Sequence, residues 1–170
     1  MVSRRSFLIF SVLKLSIAMK PGFVKGIILG AVALVLILSM FDIDRELADI
    51  RIGRARFFVE IADEPEEYSR GLSGREKLAA NKGMLFIFSQ PGNYGFWMKE
   101  MKFPLDFVWI KGDQVVGLTE NTPPPQFTTY DVVNLPLYYP PEAVDKVLEV
   151  NAGAVEKFKI KIGDLVKLKR

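Results

Sequence analysis

The sequence predicts an α+β domain, mostly β, behind one N-terminal transmembrane helix. Three observations carry this reading. Short runs of apolar residues alternate with polar ones or stand unbroken for five or six positions, which is strand periodicity. Glycine, proline and Asx residues separate these runs at close intervals, leaving room for only two short helices. Ahead of them lies Gly26–Phe41 (GIILGAVALVLILSMF), 16 residues without a charge. The expected domain is a curled antiparallel or mixed sheet, or a small barrel, with the helices at its rim.

Composition narrows the chemistry. The 170 residues contain neither cysteine nor histidine. Disulfides, thiolate metal sites, cysteine nucleophiles, histidine-ligated metals and Ser-His-Asp triads are therefore excluded. Catalysis would have to use carboxylates, Lys, Tyr, Ser or Thr. No metal site and no cofactor is indicated. The net charge of +3 is unevenly spread. Residues 1–41 hold Arg4, Arg5, Lys14, Lys20 and Lys25 and no acid, whereas residues 42–170 hold 18 basic and 20 acidic side chains. The basicity thus argues for membrane topology and against a nucleic-acid partner.

The apolar run would span about 24 Å as a helix, and starting it at Pro21 gives about 31 Å, enough for the hydrocarbon core if Lys25 snorkels. It has no polar stripe, as a helix on a soluble core would. Basic residues precede it, and Asp42, Asp44, Glu46 and Asp49 follow. The positive-inside rule then places the N-terminus in the cytoplasm and residues 42–170 outside the membrane, with residues 1–41 as basic segment and anchor. Ser3-Arg4-Arg5-Ser6-Phe7-Leu8 resembles a twin-arginine signal, and Ser16-Ile17-Ala18 has signal-peptidase spacing. A start at Met19 would leave a single Lys-flanked anchor. No small-x-small site follows the span, so the anchor is expected to be retained.

Residues 42–53 read as a polar connector, and residues 54–170 as the domain. Arg54–Asp63 alternates, with Phe57, Val59 and Ile61 on one side. Asp63-Glu64-Pro65-Glu66 has the form of a capping box opening a helix to Arg70, and Gly71 suits its exit. Gly83–Phe88 is an unbroken apolar strand. Ser89–Tyr94 reads as a turn into a strand over Gly95–Lys99, antiparallel to the one before. Leu105–Ile110 is a strand on which Asp106 shares a side with Val108 and Ile110. Lys111–Gln114 turns into Val115–Thr119. Asn121–Asp131 and Leu135–Pro141 are proline-rich and extended, and carry Tyr138 and Tyr139. Lys146–Val150 is a strand with Glu149 opposite Leu148 and Val150. Asn151 is placed to cap a helix from Ala152 to Phe158. Gly163-Asp164 turns into a closing strand, Leu165–Lys169.

Four segments occur in order: VEIADEPEEYSRGL, GMLFIF, FWMKEMKFPLD, and VLEVNAG leading to IKIGDLV. Their combination resembles the domain of unknown function 192 family, also called uncharacterised protein family 0127, over Arg56–Leu168. The resemblance implies an exported or membrane-anchored single domain and supplies no reaction. Its recurrent positions fall on Gly71, Leu72, Arg75, Gly83, Met84, Phe86, Trp97, Met98, Lys99, Pro104, Asp106, Glu149 and Gly153. Where the family pattern has Asn and then Thr after Trp-Met-Lys, this chain has Glu100 and Met101. Where Met is common after Gly71-Leu72, this chain has Ser73.

Phe96–Asp106 crowds aromatic, charged and thioether side chains around Pro104, the mixture from which small-molecule pockets are built. The candidate ligand-binding residues are Arg75, Trp97, Lys99, Asp106 and Glu149. Trp97 offers a stacking face, and Arg75 and Lys99 can clamp an anion. The reading that follows is a binding or interaction module for a small molecule, sugar or cell-envelope ligand. The alternatives are a hydrolase with Asp106 and Glu149 as acid and base, and an assembly accessory in which these residues are structural. Under the last reading Asp106, a carboxylate on an apolar face, is a buried staple.

Overall fold

The computed structural model describes residues 47–125 and 135–169. The expected membrane span, residues 42–46 of the connector and residues 126–134 of the proline-rich stretch lie outside the described residues. Among those described, no helix is long and apolar enough to cross a membrane.

The domain is a seven-stranded mixed sheet curled into a half-barrel, with two short helices. The strands are β1 (Ala48–Ile52), β2 (Ala55–Ala62), β3 (Lys82–Gly92), β4 (Leu105–Lys111), β5 (Gln114–Thr122), β6 (Val144–Asn151) and β7 (Val166–Lys169). Helix α1 (Pro65–Arg70) lies between β2 and β3, and α2 (Ala154–Phe158) between β6 and β7. Their spatial order is β5-β4-β6-β3-β2-β1-β7. Only β2 and β3 run parallel, which requires the long crossover that contains α1. The sheet's two ends meet locally: Val115 N–H donates to Asp164 O (3.0 Å), and Val166 N–H donates to Asp113 O (2.8 Å).

Alternation along the strands feeds two cores. Phe57, Val59, Leu85, Val108, Ile110, Leu148 and Val150 face the concave side, where Val155 of α2 and Ile160 plug the curl. Met84, Phe86, Phe107, Trp109 and Val147 face the other side, under Leu72, Phe96, Met98 and Met101. Strand β4 is consequently buried on both faces, with only Lys111 exposed.

The element boundaries differ from expectation in five places, four of them before β4. Ala48–Ile52, read as connector, forms β1, because Ala48, Ile50 and Ile52 alternate into the first core. Gly95–Lys99 is not a strand beside β3, since that place is held by β2 and β6. Phe96 instead exchanges backbone hydrogen bonds with Tyr138, at 2.9 and 2.8 Å. Strand β3 runs on through the expected turn to Gly92, with a register shift after Ile87. The cap of α1 is Glu64 and no side chain caps it; Glu67, not Glu66, reaches back, its Oε2 accepting from Asp63 N–H at 3.2 Å.

Helix α2 also begins differently. Its N-cap is Gly153 (φ +79°), which has no side chain to offer. Asn151 instead donates from Nδ2 to the carbonyls of Leu78 (3.0 Å) and Ala79 (3.2 Å), tying β6 to the loop before β3. The cap comes from β4: Asp106 Oδ2 accepts from Val155 N–H at 2.9 Å. Its Oδ1 accepts from Asn121 N–H at 2.8 Å, so both oxygens are satisfied although the residue is fully buried.

Candidate functional site

The site lies on the outer face of the central strands. Residue alternation on β6 sends Val147 and Glu149 to this face and Leu148 and Val150 to the other. Register then sets Glu149 between Met84 of β3 and Phe107 of β4. One strand further, Glu60 of β2 is opposite Met84. Glu149 thus sits between two apolar neighbours, Met84 and Phe107, with Glu60 one strand beyond Met84.

Above Glu149 the segment after α1 folds back on the sheet. Gly71 has φ +50° and ψ −133°, a conformation that glycine alone adopts easily. A Cβ at Gly71 would lie 3.9 Å from Glu149 Oε2 and 3.4 Å from the Phe86 ring. Ser73 Oγ donates to Lys99 O (2.7 Å) and Gly74 N–H donates to Glu100 O (3.0 Å), which bind the segment to the strap over residues 96–103. Between segment, strap and sheet is a cavity of about 410 Å³. Aromatic side chains dominate its wall: Tyr68, Phe86, Phe88, Tyr94, Phe96 and Trp97. The rings of Phe88 and Tyr94 stack at 3.7 Å. Tyr68 is anchored by its hydroxyl, which lies 2.7 Å from Ile87 O and 2.8 Å from Asp63 O. Burial, with nearby Asp63 and Glu64, raises its pKa.

Glu149 lines this cavity and is only 5% exposed. Its Oε2 is buried and has no hydrogen-bond partner among the described residues. Desolvation pushes its carboxyl up to about 8, against the opposing field of Arg75. The Arg75 guanidinium is itself held by Glu60, Nη1 to Oε1 at 2.5 Å and Nη2 to Oε2 at 2.8 Å. That bidentate pairing raises the Arg75 pKa, with a smaller contribution from Glu149. Arg75 therefore supplies field to the site while its hydrogen-bonding edge is occupied.

The expected candidates separate as follows. Trp97, 42% exposed, and Glu149 line the cavity together. Lys99 lines a shallower neighbouring cleft with Arg70, Ser69, Ser73 and Glu100, and its Nζ sits 5.7 Å from the Trp97 ring centre. Asp106 is on the opposite face, opposite Val150 in register and engaged with α2. The hydrolase reading required Asp106 and Glu149 to flank one bond in one open cleft. They cannot, because alternation on adjacent strands turns them to opposite sides of the sheet. Among the described residues no three carboxylates gather as a metal site.

Several wall residues were missed from the sequence. In the sequence Tyr94 reads as a turn residue, Phe88 as the end of a core strand, and Tyr68 as part of a short helix. The available signal was the spacing of Phe86, Phe88 and Tyr94 beside Trp97 around a proline-glycine pair. Glu60 falls on the side of β2 opposite Phe57 and Val59, and alternation alone does not mark it as the partner of Arg75.

Two solved structures share this architecture. One, from Sinorhizobium meliloti and described as a candidate transcription regulator, is 27% identical with a TM-score of 0.65, the alignment covering 75% of this chain and 97% of that one. The other, a protein of unknown function from Novosphingobium aromaticivorans, is 26% identical with a TM-score of 0.64, covering 71% of this chain and 84% of that one. No curated protein matches the chain. The model of the DUF192 family, described as uncharacterized ACR, matches residues 48–168, which include all seven strands up to Leu168, Gly71, Trp97 and Glu149, so the chain belongs to the DUF192 family.

Proposed function

We propose that this protein is a membrane-anchored binding module whose domain, held outside the cytoplasmic membrane, takes a small-molecule or cell-envelope ligand in the cavity between Trp97 and Glu149. One observation carries the reading: a buried carboxyl oxygen without a partner lines an aromatic-walled cavity of about 410 Å³. Buried polar atoms are nearly always paired, and an exception in a cavity points to a group that arrives with the ligand. The volume is in the range of small-molecule sites. Trp97 at the mouth supplies an accessible stacking surface. Anchoring and orientation rest on the uncharged run Gly26–Phe41 and on the basic residues before it.

A thermal-shift screen of the full-length chain in detergent tests the binding reading. A ligand that fits raises the melting temperature, and Trp97→Ala or Glu149→Gln reduces the rise. A broad library of sugars, amines, acids and envelope fragments that shifts nothing would leave the domain as an assembly accessory. Protease protection in spheroplasts tests the topology. Cleavage of the domain by externally added protease is expected, and full protection would refute the orientation.

A further inference from the structure

We propose that this cavity, taken as the ligand site on the reading above, accepts a small molecule bearing a primary amine whose ammonium group seats on Glu149. Among the described residues Glu149 has no dedicated counter-ion. Its base neighbour, Arg75, has both terminal guanidinium nitrogens committed to Glu60. Because Arg75 is shared with Glu60, its field offsets the charge of an ionised Glu149 only in part, and no hydrogen bond from it reaches the buried Oε2.

The walls favour a cation at that point. The rings of Tyr68, Phe88, Tyr94 and Trp97 line the space, and aromatic faces attract ammonium groups. Among the described residues the charged or titratable groups around the site are few, and Lys99, with its Nζ 5.7 Å from the Trp97 ring centre, is one of them. Helix α1 contributes Arg70 and Tyr68, and Tyr94 comes from the segment after β3. Arg75 follows α1 and Glu60 is on β2. The residues facing Glu149 from β3 and β4 are Met84 and Phe107, which carry no charge. Arg70 lines both the cavity and the adjoining cleft and has no ion pair among the described residues, so it orients a ligand with its amine inward and its neutral or acidic end outward.

Seating is coupled to proton transfer. Burial favours the protonated form of Glu149 at neutral pH. As the ammonium group arrives, the carboxyl O–H bond breaks, the proton passes to solvent, and a carboxylate–ammonium pair forms. The amine keeps its own proton throughout. Binding therefore releases a proton, which a neutral hydrogen-bonding ligand would not require.

Calorimetric titration of the full-length chain in detergent tests this, with 2-phenylethylamine, its N-acetyl derivative and methyl glucoside as probes. Titrations at neutral pH in two buffers of different ionisation heat give the proton count. The amine is expected to bind about tenfold or more tighter than its N-acetyl derivative and to release about one proton per site. Glu149→Gln should abolish the release and weaken the amine about tenfold or more. Proton release by the unaltered chain does not depend on how that variant folds. Equal binding of amine and N-acetyl amine, or preference for the glucoside, would each overturn the amine class while leaving the cavity a ligand site, and selective amine binding without proton release would overturn the coupling to Glu149 ionisation. No binding of the amine overturns the amine class too. If the broad thermal-shift screen is also silent, the binding reading falls with it.

Discussion

At the scale of single residues, two carboxylates buried to a similar degree differ in what their surroundings do. Asp106 has both oxygens filled by backbone N–H groups, one of them at the first turn of α2. It acts as a structural staple, the role its place on an apolar face allowed. Asp106→Asn keeps the shape but can offer an acceptor to only one of the two N–H groups. The expected cost is about 2–3 kcal/mol in chemical denaturation, with ligand affinity per folded molecule unchanged. Glu149 has an oxygen left over, and its carboxyl is pushed from 4.5 to about 8. A folded-state pKa above the unfolded value means that the native state holds the extra proton between the two. The associated stability is fully present below the unfolded pKa and is lost as pH rises through the folded one. The chain should therefore lose stability from about pH 5 to about pH 9, up to the order of 4 kcal/mol for a shift of this size. Glu149→Gln, which cannot ionise, should flatten that dependence in melts across the range. Identical pH profiles would show that the carboxyl is not held protonated. Glu149 was legible as a polar residue on an alternating strand. Its missing partner was not, because a partner is a fact of packing.

Among the elements, the strap over residues 96–103 departed most from its sequence reading. Phe96 and Met98 point inward and Trp97 outward, as alternation suggested, yet the segment pairs with Tyr138 rather than with β3. Alternation reports which way side chains face and is silent on which backbone lies alongside. The strap also explains the departures from the family pattern at Glu100 and Met101. Glu100 has φ +56°, a left-handed conformation in which Asn is more at ease than Glu. The recurrent Asn at that position thus has a backbone reason independent of any ligand. Met101 is buried in the second core, where a thioether packs readily. Replacing Glu100 with Asn or Gly should stabilise the domain by about 0.5–1 kcal/mol, or change it little, as measured by denaturation. A clear loss would mean that its side chain does more. Gly71 is the converse case. Gly71→Ala should cost about 1–3 kcal/mol through backbone strain alone. Because this segment roofs Glu149, the variant should also alter ligand affinity if the binding reading holds.

For the whole molecule, the half-barrel concentrates its stability in the middle of the sheet. Strands β3, β6 and β4 separate the two cores and are covered on both sides, whereas β7 is four residues at an end of the sheet. Amide hydrogen exchange should be slowest in β4 and β6 and fastest in β7. Slow exchange in β7 equal to that in β6 would mean that the contacts with Asp113 and Val115 close the curl more firmly than a few hydrogen bonds suggest. The two short helices and most strand positions were readable from periodicity and from Gly-Pro punctuation, whereas the choice between an antiparallel and a mixed sheet stayed open until the parallel pairing of β2 with β3 decided it. The count of seven was reached with the wrong seventh strand, 95–99 in place of 48–52. Acidic and basic residues at Asp49 and Arg51 hid the alternation of Ala48, Ile50 and Ile52.

What the sequence determined by itself was local and periodic: the faces on which Glu149 and Asp106 lie relative to their own strands, the side of its segment to which Trp97 turns, and the family that those motifs together resemble. It also excluded cysteine and histidine chemistry outright. Tertiary structure alone decided which faces coincide. Register between β4 and β6 turned Asp106 inward and Glu149 outward, and the return of Gly71 over the sheet enclosed Glu149 among aromatic rings. Two strands with the same alternation can be paired in phase or one residue out of phase, and that single step decides whether two carboxylates share a cleft or have a sheet between them.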